Sequence, residues 1–135
     1  MIQGLSHITF LVQDLERSAQ LFKYVLDAEE IYHSGERFFG LSREKFLLIG
    51  GLWICIMEGD PLIERTYHHL AFSILDEEYE SYEERIRALG LEVRPSRPRI
   101  FEEGRSIYFY DYDNHLFELH AGSLDIRMKR YIRPF

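Results

Sequence analysis

Two stretches of this 135-residue chain repeat one another. Leu5-Ser-His7-Ile-Thr-Phe-Leu-Val-Gln-Asp-Leu15 is matched, sixty-two residues later, by Tyr67-His-His69-Leu-Ala-Phe-Ser-Ile-Leu-Asp-Glu77. A duplication at close to half the chain length points to two copies of one supersecondary unit. Both stretches alternate as strands do. Ile8, Phe10 and Val12 share one face of the first copy, as Leu70, Phe72 and Ile74 do in the second. The opposite face carries His7, Thr9 and Leu11 in one copy and His69, Ala71 and Ser73 in the other. A histidine heads the less apolar face both times.

Each copy continues in the same order. Asp14 is placed to cap a helix with the apolar stripe Leu15, Ala19, Phe22 and Leu26. Asp76 is the matching cap for a helix striped by Tyr79, Tyr82, Ile86 and Leu89, which Gly90 ends. Strands are then predicted over about 29–40, 45–50 and 52–58, and over about 91–94, 105–111 and 115–120. An Asp111-Tyr-Asp-Asn114 turn joins the last two. This pattern is an α+β chain of two βαβββ modules, about 1–62 and 63–122, with a helix and tail over 123–135, in a single domain. Each module is a curled, mixed four-stranded sheet with a helix on one face and a concave face left open. Closing those faces and protecting the edge strands calls for two halves to meet, so a homodimer is expected.

Composition narrows the function. Apolar residues at 46% and aromatics at 15% exclude intrinsic disorder. The net charge of −7 argues against a general nucleic-acid binder, while leaving room for a small anion gathered by local arginines. Cys55 is the lone cysteine, so no intrachain disulfide forms, and in a strand-like run it reads first as a small core hydrophobe. The N-terminus lacks a secretory pattern, and the most apolar stretch, Phe46 to Met57, is short for a membrane helix. A soluble, cytoplasmic protein with no membrane partner is expected.

The paired histidines carry the chemistry. One strand histidine is commonly a packed or solvated residue, but two at the same phase of duplicated strands point to a metal. Glu118 supplies a third ligand from the otherwise apolar strand His115-Leu-Phe-Glu118-Leu-His120, where an uncompensated carboxylate is costly. Its counterpart in the first half falls at Cys55 or Ile56, neither suited to a hard metal. His7, His69 and Glu118 leave coordination positions open for substrate, as a catalytic site requires. The set suits Fe(II), Mn(II) or Zn(II) without choosing among them. His120 shares a face with Glu118 and is a candidate to support it; His33 and His115 lie near turns and read as solvated, and His68 points away from His69.

Four segments then resemble one family. Gly-Leu-Ser-His7-Ile-Thr-Phe, Leu-Trp53-Ile-Cys-Ile-Met-Glu-Gly, Glu-Arg-Thr-Tyr67-His-His69-Leu-Ala-Phe and the run from Glu103 to Gly122 are similar to the fosfomycin-resistance enzymes of the vicinal oxygen chelate superfamily. The resemblance covers essentially the whole chain and is strongest to the manganese-dependent hydrolase type, which adds water to the epoxide. It implies a vicinal oxygen chelate fold forming a sheet cup, Mn(II) (or another divalent cation) as cofactor, and fosfomycin as substrate. It implies His7, His69 and Glu118 as ligands, with His7 drawn from one subunit of a homodimer and the other two from its partner. Glu44, which alone reads as a solvated charge between Arg43 and Lys45, matches the general base of the hydrolase type. Ser106, Tyr108 and Arg127, with Tyr67, are implied as phosphonate donors; Thr9 is placed to touch the epoxide oxygen and Trp53 to wall the methyl side. Arg94 is the first member of Arg94-Pro-Ser-Arg97-Pro-Arg99 to suspect of binding anions.

Other activities fit parts of the pattern. A thiol transferase opens the same epoxide with a cellular thiol, but needs no base at Glu44, and Phe101-Glu-Glu-Gly104-Arg-Ser106 is more charged than the potassium loop of the glutathione enzymes. An extradiol-type dioxygenase shares the ligand set but is usually longer. A drug-sequestering protein needs no metal ligands.

Overall fold

The computed structural model describes residues 1–36 and 42–132. The first copy runs β1 (His7–Val12), α1 (Leu15–Leu26), β2 (Glu29–His33), β3 (Glu44–Ile49) and β4 (Leu52–Glu58). The second runs β5 (His69–Ser73), α2 (Tyr79–Ala88), β6 (Val93–Arg94), β7 (Arg105–Tyr110) and β8 (Leu116–Ala121), and α3 (Leu124–Tyr131) follows. The strand expected over about 29–40 stops at His33. The end of that expectation, 37–40, lies within residues 37–41, which with 133–135 of the tail are outside the described residues.

The duplication is visible in the hydrogen bonding. The sheets have strand orders β1-β4-β3-β2 and β5-β8-β7-β6, the same order twice. In each, the opening strand lies parallel to the closing one and the other pairs are antiparallel. Contacts group the chain into two units, Met1–Arg65 with Asp111–His115, and Thr66–Tyr110 with the chain from Leu116.

In the first unit α1 covers the sheet face bearing Ile54, Ile56, Leu47 and Val12, all fully buried. Asp14 caps the helix by accepting from the Arg17 main-chain N–H at 3.0 Å. Leu15, Ala19, Phe22 and Leu26 are buried, the apolar stripe turned inward. Lys45 is buried on this same face, where its ammonium pairs with Glu30 at 2.8 Å and Glu16 at 3.2 Å. The turn at 111–114 is held by Asp111, whose Oδ1 accepts from the main-chain N–H groups of Asp113 and His115. His115 is not solvated as its position suggested: Nδ1 pairs with Asp111 Oδ2 at 2.8 Å and the ring packs on Phe10. The turn carboxylate reaches back over its own loop and draws the ring in.

In the second unit Ile86 of α2, Phe109, Ile107, Phe117 and Leu119 form the buried layer. Asp76 does not cap α2. Residues Asp76–Glu78 form a 3-10 turn before the helix, and the Asp76 carboxylate instead receives Arg105 Nε at 2.8 Å. A cross-strand arginine outcompetes the orphan N–H groups, and α2 begins at Tyr79 without a side-chain cap. α3 is tied down at its far end by Tyr131, which donates to Glu103 Oε2 at 2.6 Å.

Two glycines separate backbone strain from crowding. Gly50 and Gly104 both have positive φ, at 54° and 76°, which costs a β-carbon about 1 kcal/mol or more. Among the described residues a Cβ at Gly50 meets nothing within 4 Å, whereas one at Gly104 collides with the Ala121 carbonyl oxygen. Gly104→Ala therefore lowers the midpoint of thermal unfolding clearly more than Gly50→Ala, a difference read directly by differential scanning calorimetry.

Candidate active site

The face of the first sheet away from α1 collects the predicted residues of that half. Register puts His7 beside Trp53, Thr9 beside Cys55, and Glu44 beside Met57, all on one face. His7 is exposed and stacks on Trp53 with ring centroids 4.1 Å apart, while Ser6 Oγ meets its Nδ1 at 2.9 Å. Glu44, despite its charged neighbours, is 9% exposed. Strand alternation explains this departure from a solvated reading: Lys45 turns to the α1 face, and Arg43 is engaged by both carboxylate oxygens of Glu58 at 2.8 and 2.9 Å. Neither cation pairs with Glu44. Its side-chain partner is the Cys55 thiol, which donates to Oε2 at 3.5 Å. Burial, with the nearby carboxylate, pushes the thiol up to about 11.

The second sheet repeats this face with different chemistry. His69, Glu118, His120, Tyr108, Ser106 and Arg94 share it by register. His69 Nδ1 donates to the Tyr67 carbonyl at 2.7 Å, leaving Nε2 turned toward Glu118 Oε1 at 3.0 Å. Glu118 Oε2 receives the Ser106 hydroxyl at 2.5 Å and lies 3.5 Å from Arg99 Nη2. Burial alone would raise the Glu118 carboxyl, but hydrogen bonds from Ser106 and Tyr108 and the charges of His120 and Arg99 bring it below its usual value. Burial and the charges of Arg127, Arg99 and Arg97 depress His120 against the pull of Glu118. Tyr108 is raised, chiefly by burial.

The donor set of the His69–Glu118 pair suits a cation. With Nδ1 protonated toward a carbonyl, a neutral ring presents a lone pair to a carboxylate oxygen, and two acceptors in contact repel unless a positive charge joins them. Among the described residues no three His, Cys, Asp or Glu side chains gather to hold an ion. His69 and Glu118 meet, and His7 stands in the first unit.

The remaining expected residues are found as follows. Tyr67 donates to the Tyr108 hydroxyl at 3.3 Å, and both line a cavity of about 450 Å³ with Arg94, Arg97 and Tyr110. Arg94 itself is exposed and pairs with Glu92 at 3.2 Å. Ser106 and Arg127, implied as phosphonate donors, have Glu118, His120 and the Glu103 carbonyl as partners. Arg99 was not singled out, yet its side chain is 9% exposed, it donates to Tyr108 at 2.8 Å, and Nη1 is buried without a partner among the described residues. The Trp53 indole N–H is the other such orphan. A buried unpaired donor is unfavourable, so each is a donor that an acceptor from water, a partner chain or a ligand would satisfy. The only sequence signal for Arg99 was its place in an arginine-rich, proline-broken segment, which does not say which arginine turns inward.

The repeated strand order places the chain in a class. The family model of the Glyoxalase/Bleomycin resistance protein/Dioxygenase superfamily matches residues 4–119, and the chain belongs to that superfamily. Within it, the chain is 62% identical to fosfomycin resistance protein FosX of Listeria monocytogenes, over 97% of this chain and 98% of that protein. The crystal structure of a variant of Listeria monocytogenes FosX, complexed with Mn(II) and 1S,2S-dihydroxypropylphosphonic acid, superposes with a TM-score of 0.90 at 61% identity, covering 97% of this chain and 99% of that one. The metallothiol transferase FosB of Staphylococcus saprophyticus is 31% identical, over 97% of this chain and 85% of its own length.

The environment of Cys55 has a direct consequence. A thiol raised from 9.0 to about 11 holds roughly a hundredfold less thiolate at pH 8. Ellman's reagent will label the folded protein at least that much more slowly than the urea-unfolded chain.

Proposed function

We propose that this protein is a Mn(II)-dependent hydrolase that adds water to the epoxide of fosfomycin, giving a vicinal diol and resistance to the drug, and that it acts in the cytoplasm. The observation that carries this reading is Glu44: a buried carboxylate on the open sheet face with no cationic partner among the described residues. Such a group can accept a proton from water, whereas a thiol transferase brings a nucleophile of its own. Dihydroxypropylphosphonic acid, found with the Listeria relative, is an epoxypropylphosphonate plus one water. The twofold difference in identity between the FosX and FosB relatives favours the same side. Among the described residues no helix is long and apolar enough to cross a membrane.

In this reading His69, Glu118 and His7 hold the cation, His7 coming from one subunit of a homodimer and the other two from its partner. The cation supplies positive charge that lowers the cost of negative charge developing as the ring opens. Glu44 takes a proton from water as its oxygen bonds to the phosphonate-bearing carbon. The C–O bond of the ring breaks, and the released oxygen gains the proton that Glu44 took, returned through solvent, to become the second hydroxyl. Thr9 is placed on the strand face to touch that oxygen, and Trp53 lines the methyl side. Tyr67, Tyr108, Arg94 and the inward-turned Arg99 gather the phosphonate oxygens, with the orphan Nη1 of Arg99 as a waiting donor.

Incubation with fosfomycin and Mn(II) without thiol, followed by phosphorus NMR, is expected to show the diol; an absolute thiol requirement refutes hydration. Glu44→Gln loses about two to four orders of magnitude in turnover while still binding Mn(II). Arg99→Met raises KM for fosfomycin about tenfold or more, the loss of a charge-assisted hydrogen bond. Ligand sharing has its own test. His7→Ala and Glu118→Ala are each inactive, but mixing them under subunit exchange restores activity, because half of the sites in the hybrid dimer are intact. No recovery on mixing places all three ligands in one chain.

A further inference from the structure

The polar residues behind Glu118 are connected in one direction only. Arg127 carries donors and no acceptor. Its Nη2 lies 3.3 Å from His120 Nε2, so that nitrogen accepts and carries no proton. The ring proton is therefore on Nδ1, which meets Ser106 Oγ at 2.7 Å. A hydroxyl that accepts there sends its single proton onward, and Ser106 donates to Glu118 Oε2 at 2.5 Å. With His120 Nδ1 at 3.4 Å and Arg99 Nη2 at 3.5 Å also facing Oε2, that oxygen is surrounded by donors, and Oε1 is the one left facing His69.

We infer that Arg127, His120 and Ser106 form a directional hydrogen-bond chain that orients Glu118 for metal binding, with His120 a positioning residue locked as its Nδ1–H tautomer. This inference rests on the reading of Glu118 as a metal ligand. The start of the chain is itself built. Arg127 Nη2 also donates to the Glu103 carbonyl at 3.2 Å, and the Glu103 side chain is gripped by Arg97 at 2.6 Å, Tyr131 at 2.6 Å and the Ile100 N–H at 3.1 Å. Those bonds carry the Glu103 carboxyl down to about 2.

Gly122 supplies an independent observation. Its backbone has ordinary φ, so conformation does not require glycine there. A Cβ at this position would lie 2.6 Å from His120 Nε2 and 3.1 Å from the Glu103 carbonyl oxygen. Those two atoms are the ones that receive Arg127 Nη2. The missing side chain leaves the guanidinium its place.

The chain has a partner in the duplicated fold. Ser106 faces His120 in the second sheet where Glu44 faces Met57 in the first, and Tyr108 faces Glu118 where Phe46 faces Cys55. The first half puts an apolar methionine where the second puts a histidine with two hydrogen bonds. The difference sits behind the carboxylate proposed to bind metal.

The test is a double-mutant cycle read as Mn(II) affinity by isothermal titration calorimetry on the full-length protein. His120→Leu and Ser106→Ala each weaken Mn(II) binding about tenfold, as loss of a ligand's supporting partner does. The double variant loses clearly less than the sum of the two single losses, because Ser106 and His120 act on the same oxygen in one connected network. His120→Asn, whose Nδ2 can replace the Nδ1 donor, recovers most of the affinity, which a purely space-filling role would not produce. Additive losses, wild-type affinity in His120→Leu, or no recovery in His120→Asn overturns the proposal. If His120→Leu fails to fold, nitrogen-15 histidine NMR of the metal-free wild type decides: the Nδ1–H tautomer supports the chain, and the Nε2–H tautomer overturns it. Glu118→Ala separates the two levels. Wild-type Mn(II) affinity in that variant rejects the ligand reading, whereas its loss alongside unchanged affinity in His120→Leu rejects the chain alone.

Discussion

Because β1 lies parallel to β4 and β5 parallel to β8, each unit sets the residues of its opening and closing strands side by side, pointing from one face. His69 pairs with Leu116, and Glu118 lies two positions along beside Ala71, within diagonal reach on the same side of the sheet. A slip of one residue would turn Glu118 into the layer of Phe117 and Leu119 under α2, where an ionised carboxylate has no partner. The apolar faces of Ile107, Phe109, Phe117 and Leu119 thus hold the register that the polar face uses. Packing on one side of the sheet positions chemistry on the other.

The two halves show how one scaffold carries two jobs. Thr9 opposite Cys55 corresponds to Ala71 opposite Glu118, which settles Cys55, rather than Ile56, as the counterpart of Glu118. In the first half the carboxylate stands on the third strand, at Glu44, and accepts from the thiol on the closing strand. In the second the carboxylate stands on the closing strand, at Glu118, and accepts from the hydroxyl of Ser106 on the strand beside it. Donor and acceptor have exchanged strands. Glu44 has only a weak thiol donor, while Glu118 has strong donors on one oxygen that hold its carboxyl below the usual value.

Charge is handled by segregation. Arginines 97, 99, 105 and 127 all belong to the second unit, and each has a carboxylate or carbonyl partner there. Their concentration sets four guanidinium groups in one unit of a chain whose net charge is −7. Arg97 grips the Glu103 carboxylate, Arg127 meets the Glu103 carbonyl and His120, and Arg105 pins Asp76; among the described residues Arg99 alone of the four keeps a buried nitrogen without a partner. Four similar side chains therefore have different roles because their surroundings differ.

Much of this was legible in the amino-acid order. The repeat, the phase of the two histidines and the apolar stripes are local periodicities, and strand alternation or helical pitch converts them into faces without further information. Glu118 stood out because a carboxylate in an apolar strand needs a reason. Burial of Glu44, the inward turn of Arg99 over Arg94, the pairing of His115 with Asp111 and the capture of Asp76 by Arg105 were not legible. Each depends on which partner lies across a sheet or loop, and in sequence those partners are neutral bystanders. Periodicity along the chain names the face on which a residue stands. The contacts that decide whether its charge is solvated, paired or held ready are made between strands, where distance along the polymer carries no information.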